Sequence, residues 1–131
     1  MRSITAIAAA DGSAAAFAAY VDRQARFGSD PGWRAPSEFD LRTVTRQLDD
    51  SGQTSAAIDV ATLNTRLNPQ EWRTWMNLGD LLVRVGRRAE GIANYRRSLA
   101  LKDPTNFNAA RLQQAVDEFD RETRASSGNS S

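Results

Sequence analysis

The sequence predicts an all-α protein built as a right-handed stack of antiparallel helix pairs. Residues 38–124 repeat one pattern every thirty-four positions, so that Leu48, Leu82 and Val116 share one column. A fixed period of this size indicates units that bury their apolar faces only against neighbouring units. In addition, breaks rich in glycine and proline separate segments of helical length and periodicity. We therefore predict about two full repeats, preceded by a degenerate first pair and followed by a capping helix.

Two short helices are predicted within residues 1–27, where they form the degenerate first pair. The first helix spans about residues 3–10 and is stopped at Gly12. Ser13 can cap the second helix, which continues for about 14 residues with apolar side chains at helical spacing.

A linker loop is predicted over residues 28–36, because two prolines and two glycines prevent a regular helix there. Within it, Trp33 is expected to cover the edge of the core rather than to bind a ligand. Ser37 then begins the first full repeat, residues 37–71, since Asp40 three positions later completes a pattern close to a capping box.

The remainder of the chain is predicted to contain both full repeats and the capping helix. The repeats occupy residues 37–71 and 72–105, the capping helix occupies residues 106–124, and residues 125–131 form a disordered tail. The predicted helices span about residues 37–50, 54–67, 70–85, 88–101 and 106–124. The residues expected to be buried in this stack are Trp75, Leu78, Leu82, Ile92, Tyr95, Leu99, Leu112 and Val116.

The composition argues against catalysis. Cysteine and histidine are absent, so the chain lacks thiolate nucleophiles, the usual general base near neutral pH and the commonest metal ligand. We therefore predict that the chain is not an enzyme and uses neither a metal nor a cofactor.

Charge and hydropathy narrow the range of partners. The 17 basic and 16 acidic residues nearly balance, and aromatic residues interleaved with basic ones are lacking, so nucleic acid is not an expected partner. No apolar run approaches the roughly 20 residues of a membrane span. The opening segment is too short and too weakly apolar for a signal peptide. We therefore expect no membrane association, and a cytoplasmic location if the chain is complete.

Residues 75–82 resemble part of a known repeat. Residues 75–82 read Trp-Met-Asn-Leu-Gly-Asp-Leu-Leu and resemble the first helix of a tetratricopeptide (TPR) repeat, W-x2-L-G-x2-Y, with Leu82 in place of the tyrosine. In the next helix, Gly91 and Tyr95 take the small and aromatic places, and Pro104 closes the repeat one residue late. The resemblance implies a TPR-like α-solenoid that binds a peptide or protein segment in its concave groove.

The order of parts over nearly the whole chain is similar to a second group of proteins. Some bacterial serine hydrolases, of the β-lactamase-like and α/β-hydrolase types, carry a C-terminal helical tail with a comparable layout. That tail has no catalytic residue. This similarity implies an alternative role, in which the chain packs on a hydrolase catalytic domain or forms a homodimer through the apolar edge of its last helix, with Val116 and Phe119.

The TPR resemblance also implies where a peptide would bind, because the first helix of each repeat lines the groove. The candidate groove residues are Arg42, Arg46, Arg73, Met76, Asn77, Asp80, Arg84, Phe107 and Arg111. Some TPR proteins clamp a terminal carboxylate with basic and amide side chains at such places, and arginine can bond both carboxylate oxygens. The sharpest hypothesis is an anion-receptive pocket formed by Arg42, Arg46, Asn77 and Arg111. The alternative is an ordinary solvated surface on which Asp80 neutralises the arginines.

A second charged feature lies towards the C terminus. Residues 72–102 carry an excess of basic side chains, and the last predicted helix carries Asp117, Glu118, Asp120 and Glu122. Opposed patches of this kind either pair weakly across one surface or dock two molecules.

Overall fold

The structure is a computed structural model that describes residues 2–101 and 108–128 of the chain. Over these residues it contains seven α-helices and no strand, so the all-α prediction is confirmed. The helices are α1 (Ile4–Asp11), α2 (Ser13–Phe27), α3 (Glu38–Asp50), α4 (Thr54–Leu67), α5 (Trp72–Arg84), α6 (Arg88–Leu101) and α7 (Asn108–Gly128). Phe107, one of the candidate groove residues, and Pro104 lie outside the described residues.

The helix boundaries reproduce the period of the sequence. α3 and α5 have 13 residues each, α4 and α6 have 14 each, and the second pair begins thirty-four positions after the first. The turns between the helices also correspond, since Gly52 and Gly86 both have positive φ angles, 82° and 90°. Glycine adopts this conformation without the steric cost that a side chain would add.

The helix ends follow local chemistry, with two differences from the predictions. As expected, Ser37 and Asp40 form a capping box at the start of α3. Ser13 is the first residue of α2 rather than its cap, because Gly12 takes the N-cap position. α7 continues to Gly128, beyond the predicted end at Arg124, since no glycine or proline interrupts the helix before that position.

The chain divides into two compact units: unit 1, Met1–Pro69, holds α1 to α4, and unit 2, Gln70–Ser131, holds α5 to α7. In unit 1, the other three helices all pack on α4. The first helix, α1, packs mainly on α2 and α4. The core of unit 1 consists of Ile4, Ile7, Ala8, Ala16, Leu41, Val60 and Leu63.

Trp33 lies at the border of unit 1. Its side chain is half-buried, and its ring centroid is 6.2 Å from that of Tyr20 on α2. Tyr20 packs in turn against the unit's core. This agrees with the prediction that Trp33 covers the edge of the core.

Unit 2 depends on a close approach of two helices. A Cβ atom added to Gly79 on α5 would lie 2.6 Å from the Tyr95 ring, and one added to Gly91 on α6 would lie 2.9 Å from the Gly79 carbonyl oxygen. Only glycine fits at either position without a shift of the helices. α7 packs on α6, where Leu112 and Val116 join the core.

Two of the eight residues expected to be buried are only half-buried. Trp75 and Leu99 are partly exposed, whereas the neighbouring Thr74 and Ser98 are each 1% exposed. Burial of these two hydroxyl groups is tolerated because each donates to a backbone carbonyl oxygen at 2.9 Å. The Arg97 guanidinium lies over the partly exposed Trp75 ring, 5.0 Å from the ring centroid.

Candidate functional site

A polar stripe runs along one side of α5. It consists of Arg73, Asn77, Asp80 and Arg84, whose spacing of four, three and four residues places them on one helix face. Gly79 lies on the opposite side, against α6. The stripe therefore combines four of the predicted groove residues within one unit and leaves the other side of the helix for packing. We call these four residues the α5 stripe.

Asp80 connects the stripe to both other helices of unit 2. Its Oδ1 accepts a hydrogen bond from the Tyr95 hydroxyl at 2.5 Å and another from Arg111 Nη1 at 3.1 Å. Its Oδ2 accepts from Arg111 Nη2 at 3.3 Å. This two-point contact uses the planar fork of the arginine, as in other arginine–carboxylate pairs. Arg111, one of the four residues of the hypothesised anion pocket, thus pairs with Asp80 within unit 2.

The surroundings of Tyr95 and Arg111 raise the pKa of both groups. Burial of Tyr95, reinforced by the hydrogen bond to the Asp80 carboxylate, raises the pKa of Tyr95 to about 12. The hydrogen bond to Asp80 also raises the pKa of Arg111. At neutral pH, the Tyr95 hydroxyl therefore stays protonated and donates a hydrogen bond to Asp80, and Arg111 stays charged.

Asn77 occupies the middle of the α5 stripe. Its side chain is half-buried, and it makes no hydrogen bond to any other residue that the structure describes. An asparagine amide offers two donors and one acceptor. The side chain can therefore bond both the C=O and the N–H of an approaching peptide group.

The remaining candidates in unit 2 have different surroundings. Arg73 pairs with Glu71 at 3.4 Å and stacks on Trp72, 4.7 Å from the ring centroid. Arg84 is exposed near the C-terminal end of α5. Met76 packs against the apolar core of unit 2, so much of its surface is used inside the unit.

The candidates of unit 1 lie on α3. Arg42 forms an ion pair with Glu38 at 3.0 Å, and its guanidinium lies 5.4 Å from the centre of the exposed Phe39 ring. Arg46 is exposed and makes no ion pair or hydrogen bond with another described residue. An anion at Arg42 would therefore compete with Glu38, just as one at Arg111 would compete with Asp80.

Sequence reasoning missed one general feature of these arginines, which is their stacking on aromatic rings. In six pairs among the described residues, the guanidinium carbon lies within 6 Å of a ring centroid, which is the distance range of cation–π interactions. The pairs are Arg42 on Phe39, Arg66 on Phe17, Arg73 on Trp72, Arg88 on Phe119, Arg97 on Trp75 and Arg111 on Tyr95. The preference for arginine, with Lys102 as the only lysine, could have signalled this.

The opposed charges near the C terminus pair within unit 2. Arg88 on α6 contacts Glu122 on α7, and Arg96 contacts Asp120. The hydrogen bond from Arg88 lowers the pKa of Glu122. These acidic side chains of α7 thus serve an internal contact between helices.

The edge predicted for self-association lies against α6. Val116 is 3% exposed, and Phe119 packs against the same core with the Arg88 guanidinium 5.3 Å from its ring centroid. Both residues therefore contribute to the interior of unit 2, and a homodimer would need another surface.

The described part of the chain carries no cluster of three or more carboxylate, histidine or cysteine side chains arranged to hold a metal ion. Among the described helices, none is both long enough and apolar enough to span a membrane.

Comparison with known protein families finds no family model that matches the chain, and comparison with curated proteins finds no similar sequence. We therefore infer the role of the α5 stripe from the contacts and charges of its side chains.

Proposed function

We propose that this chain is a non-catalytic protein-interaction module of the TPR type, and that unit 2 binds an extended peptide or protein segment along the α5 stripe. The observation that carries this proposal is the Asn77 amide. It lies half-buried in the middle of a polar face without a hydrogen-bond partner among the described residues. The two donors and the acceptor of this amide are used by no other described residue, and an extended backbone supplies a matching donor and acceptor.

Two further observations support the TPR type. The second helix pair repeats the first at thirty-four positions, with equal helix lengths and matching glycine turns. Helix pairs of this kind build extended surfaces for partner segments. The chain also lacks histidine and cysteine, which favours binding over catalysis.

Selection of binding peptides from a random library of extended segments, with the full chain as bait, tests the proposal. The Asn77→Ala variant should bind a selected peptide about tenfold more weakly, because two hydrogen bonds of about 0.5–1.5 kcal/mol each are lost. Its thermal unfolding should be nearly unchanged, since Asn77 makes no described hydrogen bond within the protein.

Asn94→Ala is the matched control. Asn94 lies on α6, and its amide donates to the Glu90 carbonyl oxygen at 2.8 Å, so its loss should not affect peptide binding. Equal affinities of the wild type and the Asn77→Ala variant for the selected peptides would contradict the proposal, as would a selection that yields no binding peptide.

A further inference from the structure

The charge of the α5 stripe is set by a contact inside unit 2. Arg111 lies on α7, and both of its terminal nitrogens donate to the Asp80 carboxylate, at 3.1 and 3.3 Å. The edge of the guanidinium that would grip a carboxylate from a partner is therefore already occupied. Asp80 also places its own negative charge where a partner's carboxylate would approach.

Asp80 is held in this position by more than Arg111. The Tyr95 hydroxyl donates to it at 2.5 Å, and Tyr95 itself is 4% exposed, with its ring packed over Gly79. A buried side chain that packs this closely has little freedom to move. The Asp80 side chain is itself 41% exposed, and the hydrogen bond from Tyr95 fixes its position from the interior of the unit.

We infer that Asp80 determines the specificity of the α5 stripe: the surface accepts neutral segments and rejects segments that present a carboxylate to Arg111. This inference rests on the proposed function and adds the chemical class of the partner. Rejection follows from two effects that act together, namely the occupied guanidinium fork and the repulsion between like charges.

The experiment compares two labelled hexapeptides by fluorescence anisotropy at low salt. The acidic probe is acetyl-(Ala-Asp)3 with a free carboxyl end, and the neutral probe is acetyl-(Ala-Asn)3-amide. The proteins are the wild type, Asp80→Asn and Glu122→Gln. Asp80→Asn keeps an oxygen that can accept from Tyr95 but removes the charge. Glu122→Gln makes the same change in net charge and releases Arg88, which lies outside the α5 stripe.

The inference predicts that Asp80→Asn binds the acidic probe at least tenfold more tightly than the wild type, and that this gain exceeds any change in its affinity for the neutral probe. Glu122→Gln should change the affinity for the acidic probe by less than twofold. Equal gains in the two variants would overturn the inference, because net charge alone would then explain them. Absence of any gain in Asp80→Asn would overturn it as well, since Arg111 would then have no capacity for an anion.

Failure of the proposed function has a separate readout. It would appear as identical binding of the neutral probe to the wild type and to Asn77→Ala, or as no binding of that probe to either protein. The acidic probe still reports on Asp80 in that case, because its comparison is between Asp80→Asn and Glu122→Gln.

Discussion

The two units are both helical, but different interactions hold their helices together. In unit 1, three helices surround α4, and the fully buried positions are aliphatic, with Leu41, Val60 and Leu63 at 0% exposure. In unit 2, two glycines bring α5 and α6 together, and arginine–carboxylate pairs connect the helices around an apolar core. The stability of unit 1 therefore depends mainly on apolar burial, whereas unit 2 adds close packing and polar contacts.

This difference bears on function. The ion pairs described in unit 1 are local, as with Arg42 and Glu38 one helical turn apart. In unit 2 the pair of Asp80 and Arg111 connects two helices and also forms part of the α5 stripe. The same contact thus supports the packing of unit 2 and sets the charge of its proposed binding face.

The largest effect is expected in the core of unit 1. Leu63→Ala should lower the free energy of unfolding by about 2–5 kcal/mol, because it removes a fully buried side chain and leaves a cavity. Urea denaturation followed by circular dichroism measures this loss. Val21→Ala, at a position 51% exposed, is the control and should change stability by less than about 0.5 kcal/mol. A loss below about 1 kcal/mol for Leu63→Ala would contradict the role assigned to apolar burial in unit 1.

The next effect concerns the close approach in unit 2. In Gly91→Ala the new Cβ would lie 2.5 Å from Val83 Cγ2 and 2.9 Å from the Gly79 carbonyl oxygen, so α5 and α6 must separate. We expect a loss of about 1–3 kcal/mol from overpacking, even though alanine favours a helix by about 1 kcal/mol. Chemical denaturation measures it. Gly32→Ala, in the loop before α3, is the control. If Gly91→Ala were more stable than the wild type, the approach of α5 and α6 would not be tight.

The third prediction is a dependence on pH. Because the pKa of Tyr95 is raised from 10.0 to about 12 in the folded protein, the unfolded chain loses this proton first as the pH rises. The stabilisation is complete below pH 10 and is lost between pH 10 and about pH 12, by up to about 1.4 kcal/mol per pH unit.

The Tyr95→Phe variant tests this dependence. At pH 7 it should be less stable than the wild type by about 1–2 kcal/mol, because a hydrogen bond to a charged group is lost, and the difference should shrink as the pH rises above 10. Tyr20→Phe, which changes the chain's other tyrosine, serves as the control. A difference between wild type and Tyr95→Phe that stays constant to pH 11.5 would rule out the raised pKa of Tyr95 in the folded protein.

The smallest effect is expected at the contact between α6 and α7. Asp120→Asn removes the partner of Arg96 and should cost about 0.2–1 kcal/mol at low ionic strength, since both side chains are largely exposed. The cost should fall further in about 1 M salt, where screening acts over about 3 Å. Hydrogen exchange of the α6 and α7 amides, with and without salt, measures it. A loss that is independent of salt would indicate that the contact acts through packing instead.

Much of the local structure could be predicted because it depends on neighbouring residues. The ends of α4 and α6 agree with the predicted boundaries, since glycine turns and the helical spacing of apolar residues are visible along the chain. The four residues of the α5 stripe were expected on a binding face from the TPR resemblance, and their spacing places them on one face of α5.

The contacts made by these side chains could not be predicted in the same way. The sequence placed Arg111 among possible anion-binding residues and left open whether Asp80 neutralises it; only the packing of α7 on α6 brings the two side chains within 3.1 Å. The burial of Trp75 was overestimated for a similar reason. A tryptophan in the sequence predicts a buried position, but here Arg97 from the adjacent helix covers the Trp75 ring without burying it completely.

The sequence by itself determined that this protein is helical, where most of its helices begin and end, and that one helix pair repeats another at thirty-four positions. These properties arise from backbone propensity, capping and periodicity, which act within one or two turns. The tertiary structure alone decided that α4 is the centre of unit 1 and that Asp80 holds Arg111 and Tyr95 in unit 2. Such contacts depend on side-chain volume and distance between helices, which a linear pattern does not contain.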